Sequence, residues 1–215
     1  MKKRRLAIVS GSEGGIGHAL MTELANRGYQ ACGIDIVKKP KVDITASLEE
    51  HFKQYSKHGK IELVINCAGI TQEGGIRDDL DHVRRVFNVN FFGVLNVCRE
   101  AIKYMDRGAI VNIASKSAFR ALPRRLAYCA SKGAVVSASK QMALDLAPNI
   151  RVNSVSPGMI DTNMRGSIVS GMDKVFNLLG RKGNPKEVAE FICDVAENEY
   201  ITGQDFIIDG GYCAV

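Results

Sequence analysis

Tyr128 and Lys132 stand four residues apart, and with Ser115 they provide side chains that could move a proton at a substrate oxygen. Residues at i and i+4 share one face of a helix. A phenol normally titrates near pH 10, and a nearby ammonium favours the phenolate, which brings proton exchange within reach of neutral pH. Ser115 would hold the oxygen of a carbonyl or alcohol, and hydride transfer at the carbon would then need a cofactor.

A glycine-rich stretch near the N-terminus has the spacing and the setting of a phosphate-binding loop. Residues 6–9 form a continuous apolar run, as expected of a parallel strand that is covered on both faces. A helical pattern begins at Ile16, and the loop before and at its start carries Gly11, Gly15 and Gly17 in the spacing G-x-x-x-G-x-G. Backbone N–H groups at such a helix start suit a pyrophosphate, so this stretch predicts a dinucleotide site.

These motifs, in this order, resemble those of the short-chain dehydrogenase/reductase family of the classical type. The resemblance covers essentially the whole chain, with Ser10 in place of the usual threonine of the glycine loop and Cys67 in place of the second asparagine of N-N-A-G. The matching stretches are residues 10–17, Asn66-Cys67-Ala68-Gly69, Asn90, Ser115, Tyr128-x-x-x-Lys132, Pro157-Gly158-x-x-x-Thr162 and the closing Ile201-Thr202-Gly203-Gln204.

The resemblance implies an α/β fold, a single-domain Rossmann fold with a doubly wound parallel sheet of about seven strands in the order 3-2-1-4-5-6-7. The domain is expected to span residues 1–215, with a short substrate lid at about residues 163–182. One segment departs from the family, because only five residues separate Ile36 from Val42. A parallel crossover normally takes a dozen residues or more, so we expect a loop there that reaches the adenine end, without the family's helix.

The catalytic residues implied by the resemblance are Asn90, Ser115, Tyr128 and Lys132. Tyr128 would be the general acid/base, and Ser115 would orient the substrate oxygen. Lys132 would lower the pKa of Tyr128, as would the positive nicotinamide of the oxidised cofactor, and would also grip the nicotinamide ribose. Asn90 would hold a water through its backbone carbonyl in a proton relay to the lysine.

Asp35 favours NAD over NADP as the cofactor. It lies 18 residues after Gly17, at the end of the predicted second strand. A carboxylate there accepts hydrogen bonds from a ribose 2′-OH and repels a 2′-phosphate. Gly14 also stands where NADP-preferring relatives often carry a basic residue. The cofactor contacts implied by the resemblance are Gly11, Ser12, Gly15, Ile16, Gly17, Asp35, Asp43, Ile44, Asn66, Ala68, Gly69, Tyr128, Lys132, Pro157, Gly158, Ile160 and Thr162.

The composition is that of an ordinary globular protein and predicts a cytoplasmic location. No apolar run approaches the roughly 20 residues that span a bilayer, and the net charge of +6 does not come with a nucleic-acid-binding motif. The six cysteines and four histidines lack metal-ligand spacing, so we expect reduced thiols and no metal. The small residues between 126 and 147 permit close helix packing, and the resemblance implies a homodimer or homotetramer.

The predicted function is an oxidoreductase that acts on a CH–OH group, interconverting a secondary alcohol and a ketone with NAD. An NADP-dependent carbonyl or 3-oxoacyl-thioester reductase is the alternative within the enzyme class. A nucleotide-binding regulator without turnover and a basic nucleic-acid-binding protein remain as alternatives of other classes. Arg120, Arg124 and Arg125 precede the Tyr128 helix, where they could meet an anionic substrate, face a partner subunit or remain solvated.

Overall fold

The computed structural model describes residues 5–37, 39–162 and 177–215, and six strands alternate with helices along them. The strands are β1 (Arg5–Ser10), β2 (Tyr29–Ile34), β3 (Lys60–Asn66), β4 (Gly108–Ile113), β5 (Ile150–Pro157) and β6 (Asp205–Ile208). The helices are α1 (Gly15–Asn26), α2 (Glu49–Ser56), α3 (Asp81–Phe87), α4 (Val94–Ala101), α5 (Leu126–Leu146) and α6 (Pro185–Glu197). No helix among the described residues is both long enough and apolar enough to cross a membrane.

The six strands form one parallel sheet in the order β2-β1-β3-β4-β5-β6. This arrangement confirms the doubly wound Rossmann fold, but the expectation of about seven strands was wrong for the part of the chain that the structure describes. The outer strand expected beyond β2 is the one not seen. The short connection after Asp35 explains this, because it leaves too little chain for a crossover and a further parallel strand.

A buried group of side chains from the chain after β2 packs where that outer layer would begin. Val42, Ile44 and Leu48 enter the core together with Phe52 of α2. The Phe52 ring stacks on Tyr104, with ring centroids 6.4 Å apart. The shortened connection therefore closes the β2 edge of the fold with a loop and one short helix.

The sheet lies between two helical layers because its strands are apolar on both faces. In β1, Leu6 and Ile8 pack into a core shared with α2, α4 and α5. Ala7 and Val9 point the other way, into a core shared with α1 and α6. This alternation along one strand fixes which helices cover each face.

The helical segment from Asp81 to Tyr104 changes its geometry in the middle. A π-helical stretch, Asn88–Gly93, joins α3 to α4, and a 3₁₀ turn, Ile102–Tyr104, follows α4. Gly93 lies against the Ile44 side chain, and a Cβ at Gly93 would come within 2.6 Å of it. Such wide turns inside helices are frequent at functional sites, and this one contains Asn90.

Candidate active site

The carboxyl ends of four neighbouring strands bring most of the predicted site residues to one edge of the sheet. β1 ends at Ser10, β3 at Asn66, β4 at Ile113 and β5 at Pro157. Ligands of open α/β sheets bind outside this edge. Residues that are far apart in the sequence therefore become neighbours around one cleft.

The glycine loop after β1 packs so closely on two other loops that side chains would not fit. Gly11 has a φ of +71°, and a Cβ there would lie 2.7 Å from the backbone of Ala68. A Cβ at Gly15, the first residue of α1, would meet the Thr162 side chain at 2.5 Å. The loops that follow β1, β3 and β5 thus meet at the start of α1.

The N-terminus of α1 is suited to an anionic ligand. Its N-cap residue, Gly14, makes no side-chain capping hydrogen bond, and its first turn carries no acidic residue. The positive end of the helix dipole and its first N–H groups therefore meet no acidic side chain from the first turn of the helix itself. This open helix end and the side-chain-free loop before it fit the pyrophosphate of a dinucleotide.

Asp35 comes directly after β2 and its carboxylate is turned to the glycine loop. Oδ2 accepts a hydrogen bond from the Glu13 backbone N–H at 2.9 Å, and Oδ1 accepts one from Val37 at 2.8 Å. The side chain is buried, so these two bonds fix its orientation. A carboxylate has about four lone-pair sites, which leaves Asp35 able to accept further bonds from a ligand hydroxyl.

Two of the residues expected near adenine have different surroundings. Asp43 is exposed, and its carboxylate accepts two bonds from Thr45, both 2.8 Å long. The Ile44 side chain is buried in the core, so a ligand would reach Ile44 through its backbone. Asn96, to which the sequence assigned no role, donates to the carbonyls of Ile44 at 2.8 Å and Ala46 at 2.7 Å and holds this loop against α4.

The Asn66 side chain is buried and makes its hydrogen bonds inside the protein. Its Nδ2 donates to Asn112 Oδ1 at 2.8 Å, and Asn112 in turn donates to Ser139 Oγ at 2.9 Å. Ser10 Oγ accepts a hydrogen bond from the backbone N–H of Ala68 at 3.4 Å. This buried chain of polar groups links β1, β3, β4 and α5.

The segment after β5 is held against the closing strand and the start of α6. The Gly158 N–H donates to Ile208 at 2.9 Å, and a Cβ at Gly158 would lie 2.6 Å from the Cα of Asp209. Ile160 pairs with Gly183 in an isolated bridge. The expected lid lies mostly outside the described residues, which resume at Asn177.

Ser115 and Tyr128 lie together at the end of β4, close enough for the Ser115 hydroxyl to lower the pKa of the phenol. The Ser115 hydroxyl also accepts a bond from the Ser117 backbone N–H at 3.1 Å, which fixes its position. A substrate oxygen placed at these two hydroxyls would meet one donor that holds it and one that can exchange a proton.

The pKa of Tyr128 is set by opposing influences. Burial of the phenol outweighs the other influences and raises its pKa, whereas the Ser115 hydrogen bond and the Arg125 guanidinium lower it. The expectation that Lys132 and the positive nicotinamide lower this pKa stays a prediction. Burial could not be read from the sequence, and desolvation disfavours the charged form of any group.

Lys132 reaches back from α5 to the end of β4. Its side chain is only 4% exposed, and Nζ donates to the Ile113 carbonyl at 2.6 Å. Nζ lies 5.9 Å from the centre of the Tyr128 ring. Desolvation lowers the pKa of Lys132 to about 8, although the neighbouring Cys67 acts in the opposite direction.

Asn90 connects the π-helical turn to the loop after β3 and to α5. Its Oδ1 accepts from the Ile70 N–H at 2.8 Å, and its Nδ2 donates to the Ile70 carbonyl at 2.9 Å and to Ser131 Oγ at 3.1 Å. A Cβ at Gly69 would come 3.3 Å from Asn90 Oδ1 and 3.5 Å from Lys132 Nζ. The Asn90 side chain therefore positions the backbone beside Lys132.

Arg125 is the residue of the site whose burial the sequence did not predict. It precedes the first residue of α5 and is 3% exposed, and its Nη2 lies 3.6 Å from Glu73 Oε1. Its neighbours Arg120 and Arg124 are exposed. No local pattern distinguishes these three arginines, because the burial of Arg125 depends on a loop some fifty residues earlier in the chain.

The comparisons with known proteins agree with this geometry. A family model described as enoyl-(acyl carrier protein) reductase matches residues 21–213. The 3-oxoacyl-(acyl-carrier-protein) reductase FabG of Thermotoga maritima is 32% identical over 243 residues, which cover 96% of this chain and 97% of the relative.

Solved structures are similar over almost the whole chain. The aldohexose dehydrogenase of Thermoplasma acidophilum has a TM-score of 0.92 and 29% identity, covering 99% of this chain and 95% of its own. A 4-hydroxyisoleucine dehydrogenase complexed with NADH has a TM-score of 0.86 and 32% identity. The match covers 99% of this chain and 100% of that one. With its glycine loop, sheet order and family match, the chain belongs to the short-chain dehydrogenase/reductase family and is a nicotinamide-dependent oxidoreductase.

Proposed function

We propose that the protein interconverts a secondary alcohol and a ketone, with NAD(H) as the hydride carrier and Tyr128 as the general acid/base. The observation that carries this proposal is the placement of Ser115 beside Tyr128, with buried Lys132 one helical turn further along α5. These hydroxyls lie at the sheet edge beside the glycine loop. Their position supports chemistry on a carbon–oxygen bond, because they can bind and protonate an oxygen.

In the oxidation direction, the Tyr128 phenolate would take the proton of the substrate hydroxyl as the carbon–oxygen double bond forms. When bound, the nicotinamide accepts the hydride that leaves the same carbon, and it returns that hydride in the reverse direction. Ser115 would hold the oxygen throughout by a hydrogen bond. Lys132 would supply positive charge near the phenolate, and Asn90 would keep the neighbouring backbone in place.

The proposed cofactor contacts follow from the packing of the three loops. The pyrophosphate would lie at the start of α1, within reach of backbone N–H groups from Ser12 to Gly17. Asp35 would accept from the adenosine ribose, and Thr162 would reach the cofactor from beside Gly15. The remaining contacts are proposed at Asp43, Ile44, Asn66, Ala68, Gly69, Tyr128, Lys132, Pro157, Gly158 and Ile160.

NADP-dependent reduction of a carbonyl group, including that of a 3-oxoacyl thioester, is the second candidate function. The raised pKa of Tyr128 supports it, because a phenol that keeps its proton is ready to donate it to a carbonyl oxygen. The 32% identity to a 3-oxoacyl-(acyl-carrier-protein) reductase points the same way. The cytoplasmic location and the substrate lid stay predictions.

Replacing Tyr128 by Phe removes the proposed proton carrier and little else. We expect kcat to fall by about 10²–10⁴-fold, the usual contribution of general acid–base catalysis, while the Kd for NAD changes little. The assay follows reduced nicotinamide over a panel of secondary alcohols and ketones. Tyr200→Phe, at a fully exposed tyrosine, is the matched control. Equal activity of Tyr128→Phe and the wild type would show that another group carries the proton.

The cofactor preference tests the role of Asp35. We expect the wild type to have a higher kcat/KM with NAD than with NADP, and Asp35→Asn to reduce this ratio by about tenfold, which corresponds to about 1.4 kcal/mol of charge repulsion. Asp81→Asn, at an exposed aspartate of α3, should leave the ratio unchanged. A wild-type preference for NADP would contradict the assignment.

Burial of Lys132 predicts a pH dependence of stability. Its pKa in the folded protein, about 8, is below the ordinary 10.5, so the unfolded chain binds more protons between these values and stability rises with pH across them. Relative to Lys132→Met, the cofactor-free wild type should gain about 3 kcal/mol in the free energy of unfolding from pH 8 to pH 10.5. Urea unfolding measures this difference, and Lys186→Met, at an exposed lysine, controls for loss of a charge. Parallel wild-type and Lys132→Met curves would contradict the burial of a charged lysine.

We also propose that the protein forms a homodimer or homotetramer through the helices beside the site. Phe92 and Leu144 are large apolar side chains that are exposed in the single chain, and Phe92 lines a surface groove with Val83 and Phe87. Sedimentation velocity should give a mass two or four times 23.4 kDa, and Phe92→Ser with Leu144→Ser should reduce it. A monomeric wild type at micromolar concentration would contradict the proposal.

A further inference from the structure

Arg125 places a buried positive charge one helical turn before Tyr128. Arg125 is the N-cap residue of α5 and Tyr128 is the third residue of that helix, so both belong to its first turn. The Arg125 carbonyl accepts the Cys129 N–H at 2.9 Å, which makes Arg125 continuous with the helix. Arg125 therefore brings a guanidinium, a positively charged group, to the end of the helix that carries Tyr128.

A loop from another part of the chain fixes this arginine. The Gly74 N–H donates to the Arg124 carbonyl at 2.9 Å, and the Leu126 N–H donates to the Gly74 carbonyl at 3.2 Å. Arg124, the first of these residues, has a φ of 53°, a left-handed conformation that is unfavourable for a non-glycine residue. The two bonds to Gly74 hold this residue in place and so determine where Arg125 enters the site.

The same loop carries an acidic partner for Arg125. Glu73 Oε1 lies 3.6 Å from Arg125 Nη2, and the Glu73 side chain is 51% exposed. A half-exposed carboxylate neutralises a buried guanidinium only in part, because water screens its charge. Arg125 is therefore an attenuated positive charge, and its strength at Tyr128 depends on Glu73.

Among the residues that the structure describes, the other groups near Tyr128 come from α5, the end of β4 and the chain after β3. Ser115 at the end of β4 donates or accepts a hydrogen bond, Lys132 lies on α5, and Cys129 and Cys67 lie on α5 and after β3. Burial raises the pKa of the Cys67 thiol to about 11, which leaves it neutral at working pH. Among these groups, Ser115 and Arg125 lower the pKa of Tyr128, and the two cysteines raise it.

We propose that Arg125 is a positioning residue that stabilises the phenolate of Tyr128, and that Glu73 moderates its effect, so that this ion pair sets the pH range of proton transfer. The inference rests on the proposed function of Tyr128 as the general acid/base. It assigns opposite effects to the two members of one ion pair, which a purely structural role would not produce.

Four variants test the ion pair through the pH profile of kcat/KM for alcohol oxidation. Arg125→Gln should raise the apparent pKa of the profile by about 1 pH unit, the effect expected of losing one nearby opposite charge. Glu73→Gln should lower it by a smaller amount, and Arg125→Lys should keep it close to the wild-type value. Arg124→Gln is the matched control, because Arg124 is an exposed neighbour that pairs with Asp78 at 3.1 Å.

A second readout needs no cofactor. Titration of phenolate absorbance in the cofactor-free protein, taken as the difference from Tyr128→Phe, should reproduce the same order of pKa values. Glu73→Gln is then the most informative variant. The expected lower pKa of Tyr128 in this variant moves the phenol titration towards pH values at which the protein stays folded. Thermal unfolding of each variant separates a loss of stability from a change in titration.

The outcomes distinguish this inference from the function on which it rests. If Tyr128→Phe is fully active, the proposed function fails. If Tyr128→Phe is inactive but the profiles of Arg125→Gln, Glu73→Gln and the wild type coincide, the ion-pair inference alone is overturned. A raised KM for carboxylate-bearing substrates in Arg125→Gln without a shifted profile would also overturn it, because Arg125 would then bind substrate. Opposite shifts in both readouts would support it.

Discussion

The burial of a charged lysine is the constraint on which the active site depends. Lys132 is almost without solvent, and its ammonium needs a hydrogen-bond acceptor because a buried charge is costly unless it is paired. The Ile113 carbonyl provides one at 2.6 Å, and this contact holds α5 to the end of β4. Ser115 is two residues further along the same strand end, so the lysine that anchors the helix also brings Tyr128 to Ser115.

The rest of the fold keeps this edge of the sheet open and polar. A buried chain of amide and hydroxyl groups, Ser10, Asn66, Asn112 and Ser139, joins three strands to α5 beneath the cleft. Such networks are rigid when every member has a partner. Above it, glycines remove the side chains that would fill the space for a nucleotide. The polar layer thus sets the positions of the loops, and the glycines determine what they can hold.

The sequence predicted the elements whose causes are local. The glycine spacing and the helical pattern after it placed α1. The short segment after Ile36 correctly predicted a missing helix, although the accompanying loss of a strand was not drawn from it. The family resemblance supplied the sheet order and the four expected catalytic residues, Asn90, Ser115, Tyr128 and Lys132.

What the sequence did not predict depends on contacts between distant residues. The burial that raises the pKa of Tyr128 comes from the folded surroundings of α5, and the burial of Arg125 comes from the loop at Gly74. The π-helical turn around Asn90 and the contact of Asn96 with the Ile44 loop likewise involve segments that are distant in the sequence. Composition and periodicity describe one element at a time and carry no information on such pairs.

The most direct test of the central claim is a crystal structure with NAD and an unreactive analogue of a substrate alcohol. The account predicts that the analogue oxygen lies within about 3.2 Å of both Tyr128 Oη and Ser115 Oγ, with its carbon facing the nicotinamide and Lys132 on the ribose. An analogue oxygen held by other side chains, with Tyr128 turned away from the nicotinamide, would contradict it.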